Sequence, residues 1–264
     1  LDGRLQFNAA LYYYDYRNYQ DSVMHWEETN TNFTLPNITL PDGSKLAAPQ
    51  GRGPVSITVN IPKATNRGFE FDTEYLVTDA LSVGANYSYT ISEYKSSYSF
   101  FNQADPRYPR SVFSGGQLND DPCTASADIK KLYCLEVNGY EVQGIPKNKL
   151  SMWSNYEWNL SMGTLTWTLA YAYTGEYSTN AFDRPWDYVP ARNNFDTRVT
   201  LREGTNRWIV SVFVDNVLDK TYANTSDMHS RLTGYGSNYP HRVIAMYPRY
   251  IGMEMVYNFG AAAR

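Results

Sequence analysis

The chain has 264 residues, with 27 acidic and 23 basic side chains and a net charge of −4. That balance lacks the basic footprint of a nucleic-acid binder, and no run of about 18 apolar residues exists to form a transmembrane helix. Mean hydropathy is −0.52, but a spanning strand needs only about 9–11 residues, half of them facing a polar interior, so alternation carries the signal instead.

From the start, Leu5, Phe7, Ala9, Leu11 and Tyr13 alternate with Gln6, Asn8, Ala10, Tyr12 and Tyr14, which predicts a strand over about 5–19. A polar loop follows, with turn residues at Pro36, Pro41-Asp42-Gly43 and Gly51-Arg52-Gly53-Pro54. A second strand is expected over about 58–77, with Phe69, Phe71, Thr73, Tyr75 and Val77 opposed to Glu70, Asp72 and Glu74. Three acids on one face would together cost several kcal/mol in lipid, so they face water or a charged partner. After a turn at 78–80, Leu81, Val83, Ala85, Tyr87, Tyr89 and Ile91 alternate with small and polar residues in a third strand.

Residues 96–144 form the longest irregular stretch, and a short helix is expected within 125–133. The only two cysteines, Cys123 and Cys134, lie here. A nearby pair fits one disulfide formed in an oxidising compartment; two reduced thiols or half a metal site are the alternatives. Further strands are expected at about 149–160, 164–174, 195–202, 207–215 and 250–259. The last sets Ile251, Met253, Met255, Tyr257 and Phe259 against Tyr250, Gly252, Glu254, Val256 and Asn258. Turns at 78–80, 161–163 and 203–206 are brief, whereas loops at about 20–57, 96–147, 175–191 and 217–246 are long. Short turns at one end and long loops at the other describe an all-β, antiparallel transmembrane β-barrel.

Several motifs now resemble one family. Within residues 214–222, Asn216, Asp219 and Tyr222 resemble the Asn-Leu-x-Asp-x-x-Tyr box near the end of TonB-dependent outer-membrane receptors, with Val217 in the usual Leu place. Pro248-Arg249-Tyr250-Ile251-Gly252 followed by Phe259 is similar to the family's last strand. Residues 63–90 resemble its recurrent strand, turn and strand, with Gly68 and Glu70 as Gly-x-Glu, and Pro146-Lys147-Asn148-Lys149 resembles the start of a descending strand. The resemblance implies a bacterial outer-membrane location. It also implies a barrel of about 22 strands closed around an N-terminal plug. Residues 1–264 would supply about eight C-terminal strands, with the plug absent from this chain. The Gly-Ala-Ala-Ala-Arg stretch after Phe259 departs from the family pattern.

What the family implies about function is TonB-dependent active uptake of a scarce solute, in the first instance a ferric siderophore. Uptake of a carbohydrate, or a complete eight-stranded barrel acting as adhesin or small channel, are the alternatives, and a soluble all-β binding domain is a third. The implied partners are outer-membrane lipid and lipopolysaccharide, the remaining barrel and plug, the TonB complex through that plug, and a small-molecule ligand. Glu70, Asp72, Glu74, Glu157, Asp196, Arg198, Arg202 and Glu254 would project inward, to pair with the plug or to stand as hydrated lumen charges. Tyr98, Phe100, Phe101, Arg107, Tyr108, Arg110, Phe182, Arg184, Trp186 and Tyr188 are candidate ligand contacts on the loops, because aromatic and Arg side chains together suit an anionic, partly aromatic solute; ordinary loop packing is the alternative. No enzyme is expected. His25, His229 and His241 lack metal-ligand spacing, no Gly-x-Ser-x-Gly elbow or phosphate loop is present, and Ser230 beside His229 is the one hint of a nucleophile.

Overall fold

The computed structural model describes residues 2–27, 38–39, 45–46, 53–101, 134–181, 187–228 and 241–259. Eight long strands form one antiparallel sheet: β1 (Leu5–Glu27), β2 (Gly53–Leu76), β3 (Leu81–Tyr94), β4 (Asn148–Leu160), β5 (Gly163–Thr174), β6 (Arg192–Glu203), β7 (Trp208–Asp215) and β8 (Tyr250–Tyr257). Each pairs with its neighbours in sequence, the up-and-down order of a barrel wall, and β1 and β8 remain edges. The sheet is therefore a partial barrel.

Register turns the alternation of each strand into a face of the whole sheet. Leu11 lies opposite Phe69, and Phe69 opposite Tyr89. Tyr87 meets Leu150, and Tyr156 meets Trp167. Trp167 continues to Val199, Val212 and Met253. This apolar face is uncovered: Leu11 is 88% exposed and Met253 72%. A patch spanning eight strands far exceeds what a water-facing surface tolerates and suits lipid. Near the short turns, Tyr156–Trp158, Trp208–Tyr257 and Tyr257–Phe259 bring ring centroids within 4.5, 4.4 and 4.5 Å, a girdle of amphipathic rings where hydrocarbon gives way to water.

Two expectations about strand limits are corrected. β1 and β2 stay paired well beyond residues 19 and 58, as far as Glu27 opposite Gly53. Backbone pairing does not require apolar side chains, so the polar Gln20-Asp21-Ser22 stretch did not end the ladder. The one missing pair is Asn18 with Pro62: proline has no N–H to donate, and Asn18 takes φ +54°. β8 ends at Tyr257, two residues before Phe259. The loops also carry structure at their bases. Ser99–Phe101 pairs with Cys134–Glu136, Tyr177–Ser178 with Tyr188–Val189, and Ala223–Met228 with His241–Ala245. The helix expected within 125–133 lies outside the described residues.

The tightest packing sits at the loop end. Ile61, Tyr94 and Val137 are fully buried, with Ala64, Phe100, Val142 and Ala181 nearly so, and Tyr19, Tyr98 and Tyr140 pack against them. Beneath this cluster the Tyr94 hydroxyl donates to the Asp21 carboxylate, and the Gln143 Nε2 donates to the same carboxylate at 2.6 Å. Burial, then the bond to Asp21, push the Tyr94 hydroxyl far above the ordinary tyrosine range, so it stays a neutral donor. Burial raises Tyr19 as well. Replacing Phe100 with Ala should cost about 3–5 kcal/mol within this cluster. Hydrogen exchange of the Tyr94 and Val137 amides should quicken, while Phe69→Ala on the apolar face leaves them unchanged; equal protection in the Phe100 variant would contradict the cluster's role.

Candidate functional site

The opposite face of the sheet is polar. Its middle is set by β2, where Glu70, Asp72 and Glu74 stand opposite Ala10, Asn8 and Gln6 on one side and Ser88, Asn86 and Gly84 on the other. Register carries the face onward through Lys149, Ser151, Trp153 and Glu157 on β4, then Asp196, Arg198 and Arg202 on β6, and Glu254 on β8. All eight charged residues named from the sequence therefore share one face, although they come from four strands. Asn8 Nδ2 donates to Asp72 at 2.8 Å. Arg198 pairs with Glu254 at 3.2 Å and stacks on the Phe213 ring, 4.6 Å from its centroid. Among the described residues Glu70, Asp72, Glu74, Glu157 and Arg202 make no ion pair. Small side chains leave a hollow of about 410 Å³ over β1–β4, lined by Asn8, Ala10, Glu70, Asp72, Asn86, Ser88, Lys149 and Ser151.

Three glycines on this face are seats for rings. The Trp153 indole lies across Gly84, and the Phe213 ring lies across Gly252 between that glycine and Arg198. Tyr12 crosses Gly68, where an added Cβ would come within 2.7 Å of its hydroxyl, and reaches Thr90 Oγ1 at 2.6 Å. Each ring occupies the space that its cross-strand neighbour, lacking a side chain, leaves open, the aromatic cover of a strand glycine; at Gly68 the Tyr89 carbonyl also leaves no room for a Cβ. The signal in sequence is a glycine and an aromatic brought opposite each other, and it becomes visible only once register is known.

The Asn-x-x-Asp-x-x-Tyr box explains itself at the loop end of β7. Asn216 is 8% exposed, at φ +53°. Its side-chain oxygen accepts from Lys220 N at 3.1 Å, and its amide donates to the Lys220 carbonyl at 2.9 Å. Its backbone N–H donates to Asp196 at 2.8 Å. Asp219 accepts from Arg249 N at 3.1 Å and pairs with the Arg249 guanidinium at 3.4 Å. The Tyr222 hydroxyl donates to Asn193 at 2.7 Å. The box thus ties the β7–β8 loop to β6 and to the segment leading into β8.

Of the loop residues named from sequence, Tyr98 and Tyr188 are half-buried. The Tyr98 ring lies tilted against Phe100, centroids 5.4 Å apart, and Tyr188 pairs with Ser178. Phe100 is 2% exposed and packs on Tyr94, as the loop-packing alternative has it. Phe101 belongs to the base ladder opposite Cys134. Arg107, Tyr108, Arg110, Phe182, Arg184 and Trp186 lie outside the described residues, as does Cys123. Among the described residues there is no free cysteine and no group of His, Cys, Asp or Glu able to hold a metal.

Gly84→Ala should lower the stability of the full-length barrel by about 1–3 kcal/mol by overpacking the indole. The same change in a Trp153→Ala background should cost less than about 0.5 kcal/mol, since the two residues couple only by contact. Urea unfolding in detergent reads both, and equal costs in the two backgrounds would contradict the seat.

A family model described as "TonB dependent receptor-like, beta-barrel" matches residues 1–217. Among solved structures the chain is similar to the ferric yersiniabactin uptake receptor FyuA from Yersinia pestis, at 14% identity over 96% of this chain and 27% of that one, with a TM-score of 0.58. It is similar to the copper transporter OprC (14% identity, 97% and 29% covered, TM-score 0.56). It is also similar to the siderophore receptor PiuA from Acinetobacter baumannii (15% identity, 97% and 26% covered, TM-score 0.55). Such identities establish a shared fold, and the chain spans about a quarter of the length of these relatives. No curated protein sequence matches it.

Proposed function

Because the chain belongs to the TonB-dependent receptor family, as part of its outer-membrane β-barrel, we propose that it forms one wall of a receptor that takes up a scarce solute, most simply a ferric siderophore, at the expense of inner-membrane energy delivered through TonB. The observation that carries this reading is the division of the eight-stranded sheet into one apolar and one charged face. A wall of that kind needs lipid outside and a polar occupant inside. Glu70, Asp72 and Glu74 are oriented to meet basic groups of a plug, and Glu157, Asp196, Arg198, Arg202 and Glu254 continue the same lining. Exposed pairs contribute little singly, about 0–1 kcal/mol, so this lining acts as a field that orients its occupant more than as a set of bonds.

Capture falls to the loop end. Tyr98 and Tyr188 sit on paired bases there, and Arg107, Tyr108, Arg110, Arg184 and Trp186 belong to the same loops in sequence. Arg and aromatic side chains favour an anionic chelate with flat groups. In an iron-limited culture, deleting the full-length gene should abolish accumulation of a labelled ferric chelate, and collapsing the proton gradient should abolish it in the wild type. An unchanged iron phenotype in the deletion strain would overturn the siderophore reading.

Cys134 begins the returning strand of the base ladder, and Cys123 is the only other cysteine in the chain. Their pairing would close the outer part of the β3–β4 loop. Intact mass after alkylation with and without reductant tests it: the oxidised chain should gain two adducts only after reduction, and alkylation of two thiols without reductant would exclude the bond.

A further inference from the structure

The apolar outer face of β1, β2 and β3 stops abruptly at its loop end. On β3 the apolar positions run from Leu81 to Ile91, about ten steps or ~33 Å of strand. At a tilt of ~40° that is the ~25 Å height of a lipid band. Charge begins where the band ends, and register sets it out in rows. Tyr13, Arg67 and Ile91 stand side by side, then Asp15, Thr65 and Glu93, then Arg17 and Lys63. The Lys95 N–H donates to the Lys63 carbonyl at 2.9 Å and completes the third row.

Four cations therefore share this patch with two carboxylates. Asp15 lies 3.4 Å from Arg17 and 3.5 Å from Lys63. Glu93 lies 2.6 Å from Lys95 and 3.8 Å from Arg67. Each acid is divided between two cations, and an excess of positive charge remains. Like charges at facing positions of neighbouring strands repel, so Arg17, Lys63 and Lys95 abreast are unfavourable on a bare wall. Edge protection does not account for them, because β2 and β3 are interior strands. A general belt of charge does not either: Asn148, Tyr173, Asn193, Val214 and Ile251 hold the outer positions at the loop ends of β4 to β8. Plug and solute lie on the other side of the wall, and strands added beyond β1 would extend this face without covering it.

The place of the patch selects its anion. Long loops lie outside the cell in barrels of this kind, so the cations border the outer leaflet. Directly below them Leu11, Tyr13, Phe69 and Tyr89 present an apolar bed to acyl chains. Basic clusters at a membrane surface hold anionic headgroups, and phosphate oxygens accept strong charge-assisted bonds from Arg and Lys. We propose that Arg17, Lys63, Arg67 and Lys95 bind the phosphorylated sugar headgroup of an outer-leaflet lipid whose acyl chains lie on that bed. The site stands on the outer-membrane placement of the wall and is independent of the solute carried.

The test titrates the purified full-length receptor in detergent with lipid, counting bound molecules by native mass spectrometry, with heat-modifiable mobility as the check of assembly. The probes are bisphosphorylated lipid A, lipid A stripped of both phosphates, and inorganic phosphate. The wild type should bind the bisphosphorylated form roughly tenfold or more tightly than the stripped form, and added salt should narrow the gap. Lys63→Gln with Arg67→Gln and Lys95→Gln should remove about tenfold of that affinity. Arg17→Lys with Arg67→Lys, which keeps every charge, should stay within about threefold. Arg4→Gln, which removes a cation paired with Asp79 at the short-turn rim, should change nothing. Equal affinity of the wild type for the two lipid forms overturns the site, and this comparison decides the matter even if the Gln variant does not assemble. Unchanged binding by an assembled Gln variant overturns it as well. Displacement of lipid A by an equal concentration of inorganic phosphate would make the patch a site for free anions and overturn the lipid.

Discussion

Everything in this wall follows from one requirement. Hydrocarbon offers no partner to a backbone N–H or C=O, so each must be bonded strand to strand. The continuous ladder from β1 to β8 meets that requirement along the interior of the sheet. It also fixes which way each side chain points, because the side-chain period is two and every register is set. The apolar face and the charged face are thus consequences of the same bonds. The edges of β1 and β8 carry the same obligation: in lipid they need neighbouring strands, in keeping with relatives roughly four times the length of this chain.

Beyond the lipid band the ladder continues but the rules for side chains change. β1 and β2 run on past Tyr19 as a paired ribbon, and the base of the β3–β4 loop folds onto them around Ile61, Tyr94 and Phe100. This is the packing of a water-soluble core, with a half-buried polar network of Tyr94, Asp21 and Gln143 beneath it. The Asn216 box serves the β7–β8 loop in a similar way, satisfying its orphan backbone groups with one short side chain. The stems of these loops are thereby held by buried side chains and by side-chain bonds to backbone.

The faces of the strands were legible in the sequence, since alternation such as Phe69-Glu70-Phe71-Asp72 is a direct image of the pleat. Turn positions were legible for the same reason that they interrupt it. The extension of β1 to Glu27 was not, because mixed polar residues give no period while the backbone pairs regardless. The burial of Phe100 against Tyr94 was not legible either, since an aromatic in a polar loop looks exposed until its partner is known. The Asp21 carboxylate takes donors 73 and 122 residues away, a meeting that local patterns cannot encode. The ring seats at Gly84 and Gly252 depend on register across strands, which a single chain segment does not state.

Odd and even positions of a strand live in different solvents. Single spin labels placed in turn at residues 209–214 of β7 in the full-length receptor, reconstituted in lipid, measure this directly. Collision with oxygen should peak at 210, 212 and 214, and collision with a water-soluble nickel chelate should fall at those sites relative to 209, 211 and 213. Oxygen accessibility without a two-residue period would contradict a lipid-facing wall.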